Sequence, residues 1–316
     1  MYVYICGSPA LHRFYKNRII DLIWDFYNLY IKYFIVKWEI IMPSTYAHYC
    51  FGKDVLSRLP ETYQKEIQAY QDLYFLGLHG PDLLFYYRPL KKDPVNQTGY
   101  AMHDRAGQVF FEQAGTVLQK NQFSAEYAAY IYGFICHFAL DRECHGYIDE
   151  KIASSGVRHA KIEVEFDRSL LVRQGIDPVK ADLVQHIHPS KESAFVISQF
   201  FPQISEKEID QCIKSMRFYN HLLRAPGKFK RGLISLILKI SGNEQEMQGL
   251  MIGYHPDPQC EDSNMKLMQL YEQAVEKAVK LICDFCDSVS GKIPYDMLYR
   301  YTFGSQDTFE AEENVK

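Results

Sequence analysis

Two stretches of this 316-residue chain carry residue types that bind divalent metal ions, and they do so at helical spacing. His137, Asp141 and His145 follow one another at intervals of four, and His159 and Glu163 repeat the same interval. Residues four apart lie on one face of an α-helix. Imidazole and carboxylate groups together suit zinc and similar ions. Five such residues in a short window predict a site for more than one ion, an arrangement suited to attack on phosphodiesters.

Three further candidate ligands precede these stretches. Asp82 follows a Gly-Pro pair in a predicted loop, His103 stands at the start of a predicted helix, and His48 precedes the first helix of the main body. Taken singly, such residues are more often ordinary turn, core or surface residues. The series that starts at His137 differs, because it interrupts an apolar helix in which unpaired polar groups would be costly to bury. We therefore expect metal binding on that helix.

The order of these elements resembles the zinc-dependent phospholipase C family, whose members are all-helical, three-metal phosphodiesterases related in fold to the S1/P1-type nucleases. The resemblance covers roughly residues 43–170. It rests on eight residues in order, namely His48, Asp82, His103, His137, Asp141, His145, His159 and Glu163. It implies an all-α, multi-helix bundle of the zinc-dependent phospholipase C or P1 nuclease type. The sequence agrees, since its periodicity is helical and no convincing alternating strand is present.

The resemblance also implies how the ligands divide among zinc ions. One ion would be held by Asp82, His103, His137 and Asp141. A second would be held by His145, His159 and Glu163. His48 would share a third ion with Asp141, which would act as a bridge. We expect two ions and leave the third open, because secreted members complete it with the amine of a mature N-terminal tryptophan, whereas this chain continues upstream of His48.

The activity that the resemblance implies is phospholipase C-like hydrolysis of a phosphodiester or phosphomonoester by a metal-activated water. We expect Asp82 to orient or deprotonate that water, since it comes from a loop at the rim of the site. An S1/P1-type nuclease or nucleotidase is the alternative among enzymes, although the basic and aromatic platform expected for single strands is not evident. A metal-stabilised binding protein without turnover is the alternative outside enzymes. We expect a phosphoester substrate, with phospholipid as one option, and no specific nucleic-acid partner. Leu83 replaces an aromatic residue of the secreted phospholipases, so head-group preference is not transferred.

Composition favours a folded protein, with 47% hydrophobic and 15% aromatic residues. The net charge of −4 gives no global field that would attract nucleic acid or an anionic membrane. The eight cysteines show no disulfide framework, which fits reduced thiols in a cytoplasmic protein. Cys283 and Cys286 form a lone Cys-x-x-Cys pair, which we interpret as a chance helical pair.

We divide the chain into an N-terminal extension at 1–42, a helical metallohydrolase-like domain at 43–303 and a polar tail at 304–316. Within the extension, an apolar and aromatic run at 19–42 is interrupted by charges, which disfavours a membrane span. Two interpretations stay open. The run is an amphipathic helix in peripheral contact with a membrane, or the native chain starts at Met42. The second would expose Pro43, whose nitrogen could complete the third metal site.

The periodicity predicts helices at 61–76, 103–120, 124 to beyond 145, 158–174, 191–200, 205–224, 228–240 and 264–290. It also predicts a helix opened by Asp177-Pro178 and a loop at 88–99. The basic segment 224–231 precedes an apolar run at 233–240. We interpret the segment as a loop feeding a buried helix, with contact to anionic lipid as the alternative.

Several other polar residues lie near the candidate ligands in the sequence or resemble them. Asp104, Glu143 and Asp167 could orient the histidines, but solvated surface roles are the favoured interpretation. His186 and His188 are two residues apart, which would place them on different sides of a helix, so we do not expect them to share an ion.

Overall fold

The computed structural model describes residues 45–89, 91–240 and 250–304. Its α-helices are α1 Thr45–Arg58, α2 Glu61–Ala69, α3 Gln71–Gly77, α4 Pro94–His103, α5 Gly107–Lys120, α6 Ala125–Ser155, α7 His159–Arg173, α8 Lys191–Ser198, α9 Glu206–Leu223, α10 Lys228–Ile240 and α11 Glu261–Val289. Three 3₁₀ helices lie at Gly80–Tyr86, Pro258–Cys260 and Met297–Arg300. These ranges contain no strand, apart from one isolated bridge between Ala106 and Thr302, and the all-α prediction is confirmed.

Helix α6 forms the centre of the bundle. Its residues from Tyr127 to Asp141 are all buried. A helix that is buried on every side belongs to the core of a bundle rather than to its surface. It packs most extensively against α3 and α11, and it also contacts α1 and α7. The candidate ligand series that begins at His137 therefore starts inside the buried core of the bundle.

The crossing of α3 and α6 depends on two glycines. A Cβ atom on Gly77 would lie 2.2 Å from the carbonyl oxygen of Tyr130, and one on Gly133 would lie 2.1 Å from that of Tyr74. Both distances are far inside van der Waals contact, so only glycine permits the two backbones to approach this closely. The close crossing places the loop that follows α3 directly beside α6.

The predicted helix boundaries differ from the structure in two places on the N-terminal half. The helix predicted at 61–76 is divided at Tyr70, whose backbone has φ −130° and ψ 42°. The loop predicted at 88–99 is wrong from Pro94 onwards, because α4 begins there. Asp93 caps that helix, and its side chain accepts a hydrogen bond from the backbone of Val95. His103 consequently ends α4 instead of opening the next helix.

Two further predictions in the C-terminal half are wrong. The segment from Asp177 to His188 forms turns rather than a helix. Helix α10 forms as predicted, but it is exposed rather than buried, since four of its large apolar residues lie open on the surface. No helix among the described residues has the length and apolar character needed to cross a membrane. The predicted extension at 1–42 lies outside the described residues, as does the tail beyond Gly304.

Candidate metal centre

The eight candidate ligands come from five elements that meet beside α6. They are His48 on α1, Asp82 on the first 3₁₀ helix, His103 at the end of α4, His137, Asp141 and His145 on α6, and His159 and Glu163 on the first turns of α7. The structure brings all of them into one continuous network of short side-chain contacts. Helices α1, α3 and α7 and the first 3₁₀ helix pack on the central helix, and α4 packs on that 3₁₀ helix, which together produces this convergence.

Asp82 reaches the site because of the backbone conformation just before it. Gly80 has φ +47°, in the left-handed region that favours glycine. A Cβ atom at this position would lie 2.3 Å from Cδ2 of His137. The loop thus lies directly on the imidazole ring, which brings Oδ2 of Asp82 to 3.7 Å from Nε2 of His137. Its other oxygen, Oδ1, lies 3.0 Å from Nε2 of His103.

The two carboxylate oxygens of Asp141 face different histidines. Oδ2 lies 3.0 Å from Nε2 of His137 and 3.8 Å from Nε2 of His103. Oδ1 lies 3.2 Å from Nε2 of His48 and 3.9 Å from Nε2 of His145. Two ligands of one tetrahedral zinc ion are separated by roughly 3.4 Å, given bond lengths of about 2.1 Å. These separations fit a carboxylate that bridges two ions.

The remaining ligands form a second cluster next to the first. Nε2 of His159 lies 3.1 Å from Oε1 of Glu163, and Nε2 of His145 lies 3.8 Å from the same oxygen. The three residues each offer a ligand atom within 4.8 Å of the other two, as do His48, Asp82, His137 and Asp141 in the first cluster. His145 also approaches Asp141, so the two clusters share a border.

Buried polar atoms without hydrogen bonds test whether the site fits a metal. Both ring nitrogens of His137, Nε2 of His159 and Oε2 of Glu163 are buried and have no hydrogen-bond partner among the described residues. The carboxylates near these histidines lie close, but outside hydrogen-bond geometry. Leaving such groups unsatisfied costs several kcal/mol in total, about 1–3 for each. Divalent ions would satisfy them, so the residues fit zinc.

The backbone around His103 fixes which of its nitrogens can bind a metal. Nδ1 lies 2.9 Å from the carbonyl oxygen of Gly99, one helical turn earlier. A carbonyl can only accept, so Nδ1 carries the proton, and Nε2 is left to face Asp82. Metal-binding histidines commonly use this device to hold one tautomer and one ring orientation.

The clustered carboxylates shift the pKa values of the groups around them. Burial alone would raise the pKa of Asp141, but His137 and His145 hold it well below its usual range. Burial likewise opposes ionisation of Glu163, yet His159 and His145 lower its pKa to about 2. Burial disfavours the charged form of His48, but the carboxylates of Asp141, Asp82 and Glu163 together outweigh burial and raise its pKa. The buried anionic oxygens therefore attract positive charge, and protons and metal ions compete to bind them.

The three candidate partners near the ligands have different surroundings. Asp167 is buried, and its carboxylate accepts hydrogen bonds from the backbone N–H groups of Tyr46 at 3.1 Å and Ala47 at 2.7 Å. The expected solvated role is thus wrong for Asp167, which fixes the start of the helix that carries His48. Asp104 is exposed, and Glu143 pairs with Lys277.

A buried pair of histidines lies close to the site, and this pairing was not predicted from the sequence. Nε2 of His79 lies 2.9 Å from Nε2 of His186, and the His186 ring stacks on Tyr49 with centroids 4.1 Å apart. His188, by contrast, is exposed and lies 3.0 Å from Asp72. His79 stands three residues before Asp82, but no spacing pattern links it to position 186, so the sequence carries no signal for the pair.

An open groove of about 360 Å³ adjoins Met102, the residue before His103, and none of the eight candidate ligands lines it. Phe303 forms one wall, and its ring centroid lies 5.7 Å from that of His103 and 6.1 Å from that of His137. Of the described residues that line the groove, only Arg105 is charged, and the others include Val109 and several aromatic rings. The groove gives the site a largely uncharged neighbouring surface.

The comparison with known families indicates to which family of metal-binding proteins this site belongs. A model described as zinc dependent phospholipase C matches residues 47–218, which include all eight candidate ligands. The chain belongs to the zinc-dependent phospholipase C family. No curated protein and no solved structure matches the chain. Membership in this zinc-dependent family and the buried clusters together support zinc binding.

Proposed function

We propose that this member of the zinc-dependent phospholipase C family hydrolyses a phosphodiester, with phospholipid as the substrate class. Asp141 carries the proposal, because its two oxygens face separate sets of histidines, as a ligand shared between ions requires. The family match and the buried cluster support zinc-dependent phosphoester hydrolysis in general. The weakly charged groove beside Met102 favours a lipid over a nucleic-acid strand, which usually meets a basic channel.

We propose the division of ligands that the family resemblance implies. Asp82, His103, His137 and Asp141 would hold one zinc ion. His145, His159 and Glu163 would hold a second. His48, on the other oxygen of Asp141, is the ligand available for a third. Residues that precede Thr45 lie outside the described ranges, so a ligand from Pro43 stays a prediction.

Zinc bound in these clusters would supply Lewis acidity toward the phosphate oxygens and would make a coordinated water acidic near neutral pH. Asp82 would orient an attacking water and accept its proton, since the carboxylate is held over the site by the Gly80 turn. His103 keeps its proton on Nδ1 through the Gly99 carbonyl and so presents Nε2 toward Asp82. Glu163 remains ionised and neutralises positive charge at the second cluster.

The first test is a substrate panel on the full chain. A soluble phosphodiester, a phosphomonoester, a short-chain phosphatidylcholine and single-stranded DNA would be compared by initial rate. We expect the soluble phosphodiester and the short-chain phosphatidylcholine to be hydrolysed fastest, and Asp82→Asn to lower kcat by roughly 100-fold or more. The exposed neighbour Asp104 provides the control, and Asp104→Asn should leave the rate unchanged. Preferential cleavage of DNA would favour the nuclease alternative, and no turnover on any substrate would favour a binding protein.

The second test counts zinc ions. Glu163→Gln removes an anionic ligand from the second cluster while keeping its size, so zinc content should fall by about one equivalent with the helical content retained. Glu150→Gln, on the exposed end of α6, is the control and should keep the full content. Unchanged zinc content in Glu163→Gln would exclude the second cluster as an ion site.

A further inference from the structure

Helix α10 presents a continuous apolar stripe to the surface. Phe229, Leu233, Leu236 and Ile240 are spaced four, three and four residues apart, which places them within about 60° of one another around the helix axis. Their side chains are 87%, 49%, 54% and 53% exposed. Contiguous exposed apolar surface of this kind usually marks an interaction site.

Hydrogen bonds attach the N-terminal end of α10 to the body of the protein. Lys230 donates hydrogen bonds to the carbonyl oxygens of His221 at 2.9 Å and Arg224 at 2.7 Å. Arg231 donates to the carbonyl oxygens of Ala225 and Ile252, and its guanidinium stacks over the ring of Tyr254 at 4.5 Å. These polar contacts on the inward side orient the helix, so its apolar stripe faces outward.

The charge beside the stripe is positive. Lys228 and Lys239 are exposed and lie about 90–110° from the centre of the stripe, on the same flank. Within residues 45–89, 91–240 and 250–304, neither lysine has an ion-pair partner. No acidic residue occurs between Lys228 and Ile240. This local basic surface contrasts with the net charge of −4 for the chain.

Together, these features match a helix that lies in the interface of a lipid layer. The 13 residues of α10 span roughly 20 Å, too short to cross a bilayer. An apolar face enters the boundary between head groups and acyl chains, while flanking lysines meet anionic lipid. Arg224 and Arg231 line one cavity with Thr45 and Asp167. The N-terminal end of α10 therefore adjoins α1 and α7, which carry His48 and Glu163.

We propose that α10 is a docking helix for an anionic phospholipid surface, with the stripe of Phe229, Leu233, Leu236 and Ile240 inserted and Lys228 and Lys239 at the head groups. This surface is separate from the eight candidate metal ligands, and its binding does not depend on hydrolysis.

Co-sedimentation of the full chain with vesicles tests the proposal without any activity measurement. We expect binding to phosphatidylcholine vesicles that contain phosphatidylserine, and much weaker binding to vesicles of phosphatidylcholine alone. Leu236→Glu places a charge in the centre of the stripe and should weaken binding roughly tenfold or more. Met265→Glu, at a comparably exposed apolar position on α11, is the matched control and should bind as the unmodified chain does. Equal binding by Leu236→Glu would overturn the proposal, because another segment would then hold the vesicle.

A charge variant and a solution measurement complete the test. Replacing Lys228 and Lys239 with glutamine should weaken binding about fivefold for each lysine, and salt should weaken binding of the unmodified chain.

Size-exclusion chromatography tests whether the stripe instead binds a second copy of the chain. A dimer that Leu236→Glu dissociates, without vesicle binding, would contradict lipid docking. Hydrolysis of a soluble phosphodiester should be the same in Leu236→Glu, so loss of docking and failure of the proposed hydrolase activity give different results.

Discussion

Gly80 shows how one residue controls the geometry of the metal centre. Its φ of +47° turns the chain so that Asp82 follows directly, and its missing side chain leaves room for the His137 ring. The same contact therefore positions a loop carboxylate and a helix imidazole. Two ligands that are 55 positions apart along the chain (137 − 82) depend on a single hydrogen atom in place of a methyl group.

We predict that Gly80→Ala lowers the free energy of unfolding by at least about 2 kcal/mol, from left-handed strain and the collision with His137. Zinc affinity should fall with it. Chemical denaturation and zinc titration measure the two effects. Gly146→Ala is the control, because a Cβ atom there meets nothing within 4 Å inside α6. That change should stabilise the protein by about 0.5–1 kcal/mol. A stable, fully zinc-loaded Gly80→Ala protein would show that the loop can shift without cost.

The clustering of the candidate ligands on α6 and on α7 could be predicted from the sequence because helical spacing is local. His137, Asp141 and His145 must share a face once the helix forms, whatever the rest of the chain does. The partnership of His79 with His186 could not be predicted, since it depends on how the turns after Gly175 pack against the Asp82 loop. The role of Asp167 was missed for the same reason, because its partners are backbone groups of a distant helix.

At the scale of elements, the start of α1 and the middle of α7 form one unit. The Asp167 carboxylate occupies the N-terminus of α1, where unpaired N–H groups and the helix dipole favour negative charge. This arrangement fixes α1 by its first turn, and His48 follows directly. Asp167 acts on the site through His48, so it is a positioning residue.

Asp167→Asn should lower the free energy of unfolding by about 1–3 kcal/mol, because a neutral amide oxygen replaces a charged acceptor of two buried N–H groups. Binding of the most weakly held zinc ion should weaken more than that of the others, since His48 loses its fixed position. Calorimetric zinc titration separates the binding steps. Asp177→Asn, a surface residue that accepts one backbone hydrogen bond, serves as the control with a smaller effect. Uniform weakening of every zinc ion would mean that Asp167 supports only general stability.

Helix boundaries were predicted best where the pattern was long. The predictions at 205–224 and 264–290 lie within three residues of α9 and α11 at each end. The error at 88–99 came from treating Pro94 as a loop signal, although Pro is favoured in the first turn after a capping residue such as Asp93. The exposure of α10 was beyond sequence reasoning, because an apolar stripe does not reveal whether another element covers it.

At the scale of the whole molecule, buried neutral histidines link stability to pH. Burial and the nearby His188 lower the pKa of His186 to about 3, and burial with the neighbouring His186 lowers the pKa of His79 well below its usual range. In the unfolded chain, the pKa of His186 returns to its ordinary value of 6.5. The unfolded state therefore binds more protons between these values, so stability is fully present above pH 6.5 and declines as pH falls toward 3.

We predict that His186→Phe makes the metal-free protein less sensitive to acid. As pH falls, the unmodified chain should lose unfolding free energy faster than the variant. The difference between the two slopes should be up to about 1.4 kcal/mol per pH unit. Urea denaturation across the acidic range measures both slopes, and the chelated protein avoids a contribution from zinc release. His255→Phe, with its exposed imidazole replaced, should retain the steep slope. Parallel curves for His186→Phe and the unmodified chain would mean that His186 is not held neutral.

Zinc-dependent phosphoester hydrolysis at the two clusters is tested most directly by the initial rate of hydrolysis of a soluble phosphodiester as zinc is returned to the chelated full chain. We predict no turnover without zinc, and a rate that rises mainly as the second equivalent binds, because zinc in the two clusters, which meet where His145 approaches Asp141, would act on one reacting phosphate. Hydrolysis that persists without zinc, or none when both equivalents are bound, would contradict zinc-dependent hydrolysis at these clusters.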